Sequence, residues 1–158
     1  MGSFCSVAAL AETPAGPGKY LVTLAGCSDC HTPGNFLGHP DFKRFLGGSD
    51  VGFGIPNVGV FVGPNLTPDL ETGIGKCSIV AITRGRTPEG RSLSRIMPWP
   101  AFSQLSRPDA EAIAAYLKSL PPIVNKIPGP FKPDEKPSVL VMTVVPGDVY
   151  AALPKPPK

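Results

Sequence analysis

Apolar residues recur at helical spacing in only a few stretches of the chain, and glycine and proline interrupt the pattern between them. Gly18 to Cys30 predicts a short helix, because Tyr20, Leu21, Leu24 and Ala25 fall on one side. Ser78 can cap a second short helix running to Arg84, which Gly85 ends at the position where a left-handed residue is usually needed. The clearest periodicity runs from Arg107 to about Ser119. Ser106 can cap this helix, Pro108 and Asp109 suit its first turn, and Ala110, Ile113, Ala114 and Leu117 make one apolar stripe. Pro121-Pro122 stops it.

The rest of the pattern reads as irregular backbone. From Gly34 to Gly63 glycines recur every few residues, interleaved with Phe36, Phe42, Phe45, Phe53 and Phe61, which fits neither a helix nor a regular strand period. This predicts a long loop with aromatic anchors, and such loops are uncommon without a task. Thr87-Pro88-Glu89-Gly90 carries turn chemistry. After Pro122 proline keeps recurring until the β-branched run Val139 to Val145, which predicts one extended segment laid against the body. The pattern therefore predicts short helices, long Gly/Pro-rich loops and an extended C-terminal tail. At 158 residues one domain is the prior. We divide the chain into an N-terminus at 1–11, a domain at 12–124 and a proline-rich extension at 125–158.

Composition changes this picture in one respect. With 18 glycines and 21 prolines the fold needs an organiser, and a large flat apolar cofactor would give irregular segments something to pack around. The formal net charge is only +3, and the basic residues are spread along the sequence without forming an arm, so nucleic acid is not indicated. No apolar stretch reaches the length that spans a bilayer. Residues Phe4 to Leu10 with Ala9-Leu10-Ala11 resemble the end of an export signal and its small-residue cleavage site, although the positively charged start is missing.

Candidate chemistry lies in the cysteines. Of Cys5, Cys27, Cys30 and Cys77, only the middle pair has a recognisable spacing, and it is followed at once by a histidine. Cys27-Ser28-Asp29-Cys30-His31 matches the attachment motif for c-type haem: on one turn of helix two thiols reach two vinyl groups, and the adjacent imidazole is placed under the iron. A redox dithiol would need a βαβ setting, and the segment before Cys27 reads as helix. A zinc site would need a second paired knuckle, yet only His39, Cys5 and Cys77 remain. A lipid-anchored reading of Leu24-Ala25-Gly26-Cys27 fails because the preceding stretch is no signal sequence.

The sixth iron position separates an electron carrier from a haem that binds or senses small ligands. Met1 is terminal, Met142 lies in the β-branched run, and His39 follows His31 too closely to cross to the opposite face without a sharp excursion. Met97 remains, in Arg95-Ile96-Met97-Pro98-Trp99-Pro100, where prolines and a large ring would fix a loop. A soft thioether opposite a histidine favours ferrous iron and leaves no open position, which is the state of a one-electron carrier. A haem protein with an open or displaceable sixth site is the alternative. Asn65, Arg84, Arg95 and Trp99 supply donors near these ligands and are candidates for contacts to the propionates or haem edge.

By these residues the chain resembles a class I cytochrome c, and more closely the cytochrome domains of bacterial membrane-bound alcohol and gluconate-type dehydrogenases. The likeness spans about residues 18–124. It rests on Tyr20-Leu21 before Gly26-Cys27, on Cys27 to Pro33, on Asn65-Leu66-Thr67-Pro68-Asp69 with Glu71-Thr72-Gly73-Ile74-Gly75, on Met97-Pro98-Trp99-Pro100-Ala101-Phe102, and on Ala115-Tyr116-Leu117-Lys118-Ser119-Leu120-Pro121-Pro122. The resemblance implies an all-α cytochrome c fold, export to the periplasm, axial ligation by His31 and Met97, and electron delivery from a dehydrogenase-type donor to a respiratory acceptor. It also implies that the Pro64 carbonyl orients His31. The relatives typically carry three such haem domains, whereas this chain has one Cys-x-x-Cys-His and so implies one covalent haem c. At Cys77 the family usually has tryptophan.

Overall fold

A computed structural model describes residues 15–74, 79–87 and 89–154. Residues 1–11, Ser78, Cys5, Cys77 and Pro88, each singled out in the sequence, lie outside them. Among the described residues the architecture is mixed rather than all-α: six short α-helices and a three-stranded sheet.

The helical core is one crossing. α1 (Ala15–Leu24) packs against α5 (Arg107–Ser119), with Val22, Ile113 and Leu117 buried together beside Leu46. Along α5 the apolar stripe is buried as its spacing predicts, and Ser106 caps its N-terminus by accepting the Asp109 N–H. The face of α1 differs from the expected one: Tyr20 and Leu24 are exposed and Val22 is buried. The helices cross where Gly18 meets the Ala112 carbonyl, an approach that leaves no room for a Cβ, so the close contact rotates α1 about that glycine. The helix predicted to reach Cys30 breaks at Gly26, whose φ is 63°, and α2 (Cys27–His31) restarts at the first cysteine.

The sheet is the main departure from expectation. β1 (Val51–Ile55) and β2 (Gly59–Val62) form a hairpin inside the stretch predicted as loop, and β3 (Leu140–Thr143), within the predicted extended segment, joins β1 in parallel. Its order is β2-β1-β3. The register explains the glycines. Gly52 stands opposite Val62 and Val141, and Gly54 opposite Val60 and Thr143, so each glycine of the central strand leaves space for β-branched side chains on both neighbours. On the other face Phe53 meets Phe36 edge to face, ring centroids 5.3 Å apart.

Three short helices remain. α3 (Ile79–Arg84) ends at Gly85 with φ 61°, α4 (Trp99–Phe102) follows the Met97-Pro98 turn, and α6 (Gly147–Ala151) closes the described chain. The segment between α5 and β3 is stitched to the body at both ends. Asn125 donates from its side chain to the Gly47 carbonyl at 2.7 Å, and Phe131 exchanges two backbone hydrogen bonds with Val60 at 2.9 Å. Among the described residues no helix is long and apolar enough to cross a membrane.

Candidate haem site

α2 places its residues by a few strong constraints. His31 is buried, and its Nδ1 lies 2.7 Å from the Pro64 carbonyl oxygen. A carbonyl can only accept, so Nδ1 carries the proton and Nε2 keeps its lone pair. Burial lowers the His31 pKa below its ordinary value, and the Pro64 carbonyl opposes that in part. Burial favours the neutral imidazole, and the Pro64 carbonyl fixes its proton on Nδ1, which leaves Nε2 as the donor nitrogen that an iron ligand requires. The backbone on either side is held as well: Gly48 N–H donates to the His31 carbonyl at 2.8 Å, and Ser49 N–H to the Gly63 carbonyl at 2.9 Å. Gly63 lies so close to the Cys30 carbonyl oxygen that a Cβ would collide with it, 3.3 Å from His31 Nδ1.

Asn65 fixes the next residue along. It is buried, its amide donates to Thr72 Oγ1 at 3.2 Å and to the Ile123 carbonyl at 2.6 Å, and its Oδ1 accepts from Thr67 N and Oγ1 at 2.9 and 2.7 Å. Both donors and both lone pairs are thereby used inside the chain. The side chain lines the cavity but has no donor to spare, and it locks Pro64 through its neighbour.

Cys30, His31, Pro64 and Met97 line one cavity of about 390 Å³, walled by apolar residues that include Phe53, Phe61, Leu117 and Ile127. The cavity, its apolar walls and its donor set fit a flat apolar cofactor carrying a metal with nitrogen and sulfur ligands. Cys27 is half-buried beside the helical core and Cys30 is half-buried at the cavity. Among the described residues Met97 is the one methionine and His31 the one histidine in the lining, since His39 is exposed and Met142 sits on β3. No three of His, Cys, Asp and Glu gather as a metal cluster among the described residues.

The remaining candidates divide. Arg84 and Arg95 are exposed and outside the lining, and Arg95 stands over the Trp99 ring at 5.8 Å. Trp99 is also outside the lining; it packs on Gly85, and its Nε1 is buried with no hydrogen-bond partner among the described residues. Two parts of the site escaped the sequence reading. Arg91 lines the cavity just after the predicted turn, and residues 127–130 form a wall although they lie beyond the expected domain boundary. The alternating Ile123, Asn125 and Ile127 was the available signal for the second.

Burial pushes the Cys27 thiol up from 9.0 to about 11, and burial and then Asp29 raise Cys30. In haem-free chain whose helical content shows it to be folded, Cys27 should therefore alkylate more slowly at pH 8 than a solvent thiol, because thiolate is the reactive form. Mass-resolved alkylation rates check this, and an unretarded Cys27 would contradict the packing.

No protein-family model matches the chain. It is 35% identical over 111 residues to the fructose dehydrogenase cytochrome subunit of Gluconobacter japonicus, covering 66% of this chain and 21% of that protein. It is 38% identical over 110 residues to a diheme cytochrome c-type protein of Cereibacter sphaeroides, covering 67% of this chain and 35% of the relative. With the gluconate 2-dehydrogenase cytochrome c subunit of Pantoea cypripedii it shares 31% over 123 residues, 70% of this chain and 25% of that protein. The chain thus spans about a fifth to a third of the length of these relatives.

Proposed function

We propose, on the premise that this chain is a cytochrome c relative of the cytochrome subunits of bacterial fructose, alcohol and gluconate dehydrogenases, that it carries one covalent haem c and passes one electron at a time. Cys27 and Cys30 would hold the haem covalently, and His31 and Met97 would ligate its iron. The electron comes from a dehydrogenase-type donor and goes to a respiratory acceptor in the periplasm. One observation carries the reading: a buried, neutral His31 with Nδ1 engaged shares a single apolar cavity with Cys30 and Met97.

When bound, the haem supplies a reversible one-electron couple. The chain does the rest. Pro64 keeps the imidazole in one tautomer and one plane, and strengthens its donor nitrogen through the Nδ1–H bond. Gly63 lets the two backbones approach closely enough for that bond. Met97 provides a soft donor that favours the reduced metal, and the apolar walls exclude water, which stabilises the less charged ferrous state. Among the neighbours, Arg91 lines the cavity and would supply a donor to a propionate.

A potentiometric titration of the holoprotein tests this reading. We expect a single wave of one electron per chain at a potential typical of His/Met haem. Two waves would contradict the single haem, and a strongly negative potential would contradict the methionine.

A further inference from the structure

The sheet has two outer edges, and they are treated differently. Beside β2, Phe131 exchanges backbone hydrogen bonds with Val60 and covers that edge. β3 forms the other edge, and among the described residues no backbone hydrogen bond reaches its outer side. Edge strands that stay single are guarded by a lysine, a proline or a bulge, because their free N–H and C=O groups otherwise template another strand. β3 has no such guard. Val139 to Val145 contains neither a charge nor a proline, and Leu140, Val141, Met142 and Val144 are between 43% and 88% exposed.

The charges at the two ends of this run indicate what covers it. Lys136 precedes it and Asp148 follows it; both are exposed, and neither belongs to an ion pair among the described residues. When two copies pair antiparallel, the start of one run lies beside the end of the other. With Met142 on the two-fold axis, position 136 of each copy stands opposite position 148 of the other, so a lysine faces an aspartate at both ends. The same register sets Leu140 against Val144 and Val141 against Thr143, apolar or β-branched on both sides. The neighbouring registers that keep each side chain on its own face are poorer. Placing Val141 on the axis sets Asp148 against Asp134, and placing Thr143 there leaves the two charges opposite Tyr150 and Ser138.

We propose that the outer edge of β3 is an interface for a second copy of this chain, in which two β3 strands pair antiparallel about Met142 and join the two sheets into one. The pairing does not depend on the haem, but it bears on it. Phe53 lies in register with Met142 and lines the cavity, so the joined sheet sets the two Phe53 side chains on one face, three strand spacings or about 15 Å apart.

The test begins with sedimentation velocity of the holoprotein. We expect a dimer at about 0.1 mM. Val144→Lys should sediment as a monomer, because it sets a cation against Leu140 of the partner subunit while altering a side chain that is already 88% exposed. Lys136→Glu and Asp148→Lys should each raise the dissociation constant about tenfold at low salt, since each turns two attractive pairs repulsive. The double reversal Lys136→Glu/Asp148→Lys should recover the wild-type value. Register is read by cross-linking with a short bis-methanethiosulfonate in a Cys5→Ser/Cys77→Ser background. Met142→Cys should link to itself, whereas Leu140→Cys should link only when mixed with Val144→Cys.

A wild type that stays monomeric overturns the proposal, and if that monomer instead floats with lipid vesicles the strand belongs to a membrane surface. A dimer that Val144→Lys leaves intact, or one in which the two reversals fail to compensate, also overturns it. Should the lysine variant lose the c-type spectrum of the wild type, the Met142→Cys chain decides: self-linkage supports the interface, and its absence overturns it.

Discussion

Met97→Ala is expected to lower the midpoint potential by on the order of 0.2 V, within the roughly 0.8 V over which axial ligands move haem potentials. The same change should turn the ferric protein high-spin and let the ferrous protein bind carbon monoxide. The argument is one of supply. Among the described residues no other methionine and no second histidine reaches the cavity, so nothing takes the place of the lost thioether but water. Water stabilises ferric iron relative to ferrous. The loop should survive, since the Met97 carbonyl still accepts the Trp99 N–H and its own N–H still reaches the Ser94 carbonyl. An unchanged potential with a low-spin ferric spectrum would remove Met97 from the coordination sphere.

The second large effect concerns Asn65. Asn65→Ala should cost about 3 kcal/mol in unfolding free energy, read as a lower denaturant midpoint, because four hydrogen bonds end on this buried side chain and truncation strands their partners. Thr72 would lose one partner but keep Asp69 Oδ1 at 2.7 Å, so the damage is centred on Thr67 and the Ile123 carbonyl. The variant should also shift the midpoint potential, since Asn65 holds the residue whose carbonyl fixes His31. A change below 1 kcal/mol with the potential unmoved would show that Pro64 is held by other means.

These expectations trace back to features of very different legibility. α5 could be read directly, because its cap, its first-turn proline and its stripe all agree, and the structure places all three accordingly. The end of α3 at Gly85 was equally plain. The sheet was not, for a definable reason. In β1 Val51, Phe53 and Ile55 do alternate, but glycine fills each position between them and glycines recur on both sides, so the stretch reads as loop; the side chains that fill the glycine positions, Val60, Val62 and Val141, belong to its neighbours. Strand identity here is a property of three segments at once. The exposed side of α1 was misread likewise, since Tyr20 and Leu24 are apolar but the contact is set by Gly18.

The site divides along the same line. Cys27, Cys30 and His31 share one short motif, and Pro64, Asn65 and Met97 each stand in a local pattern with its own chemistry. What local pattern conceals is closure. Ile127 lies beyond a proline-rich boundary, yet Asn125 and Phe131 stitch its segment across Gly47 and β2 and bring it to the cavity.

The most direct test of the account is the intact mass of the holoprotein after acid-acetone extraction. One haem retained per chain is the predicted result, with its mass carried by the peptide containing Cys27 and Cys30. A chain that appears at its bare polypeptide mass, with the haem in the extract, would contradict covalent attachment and with it the function proposed here.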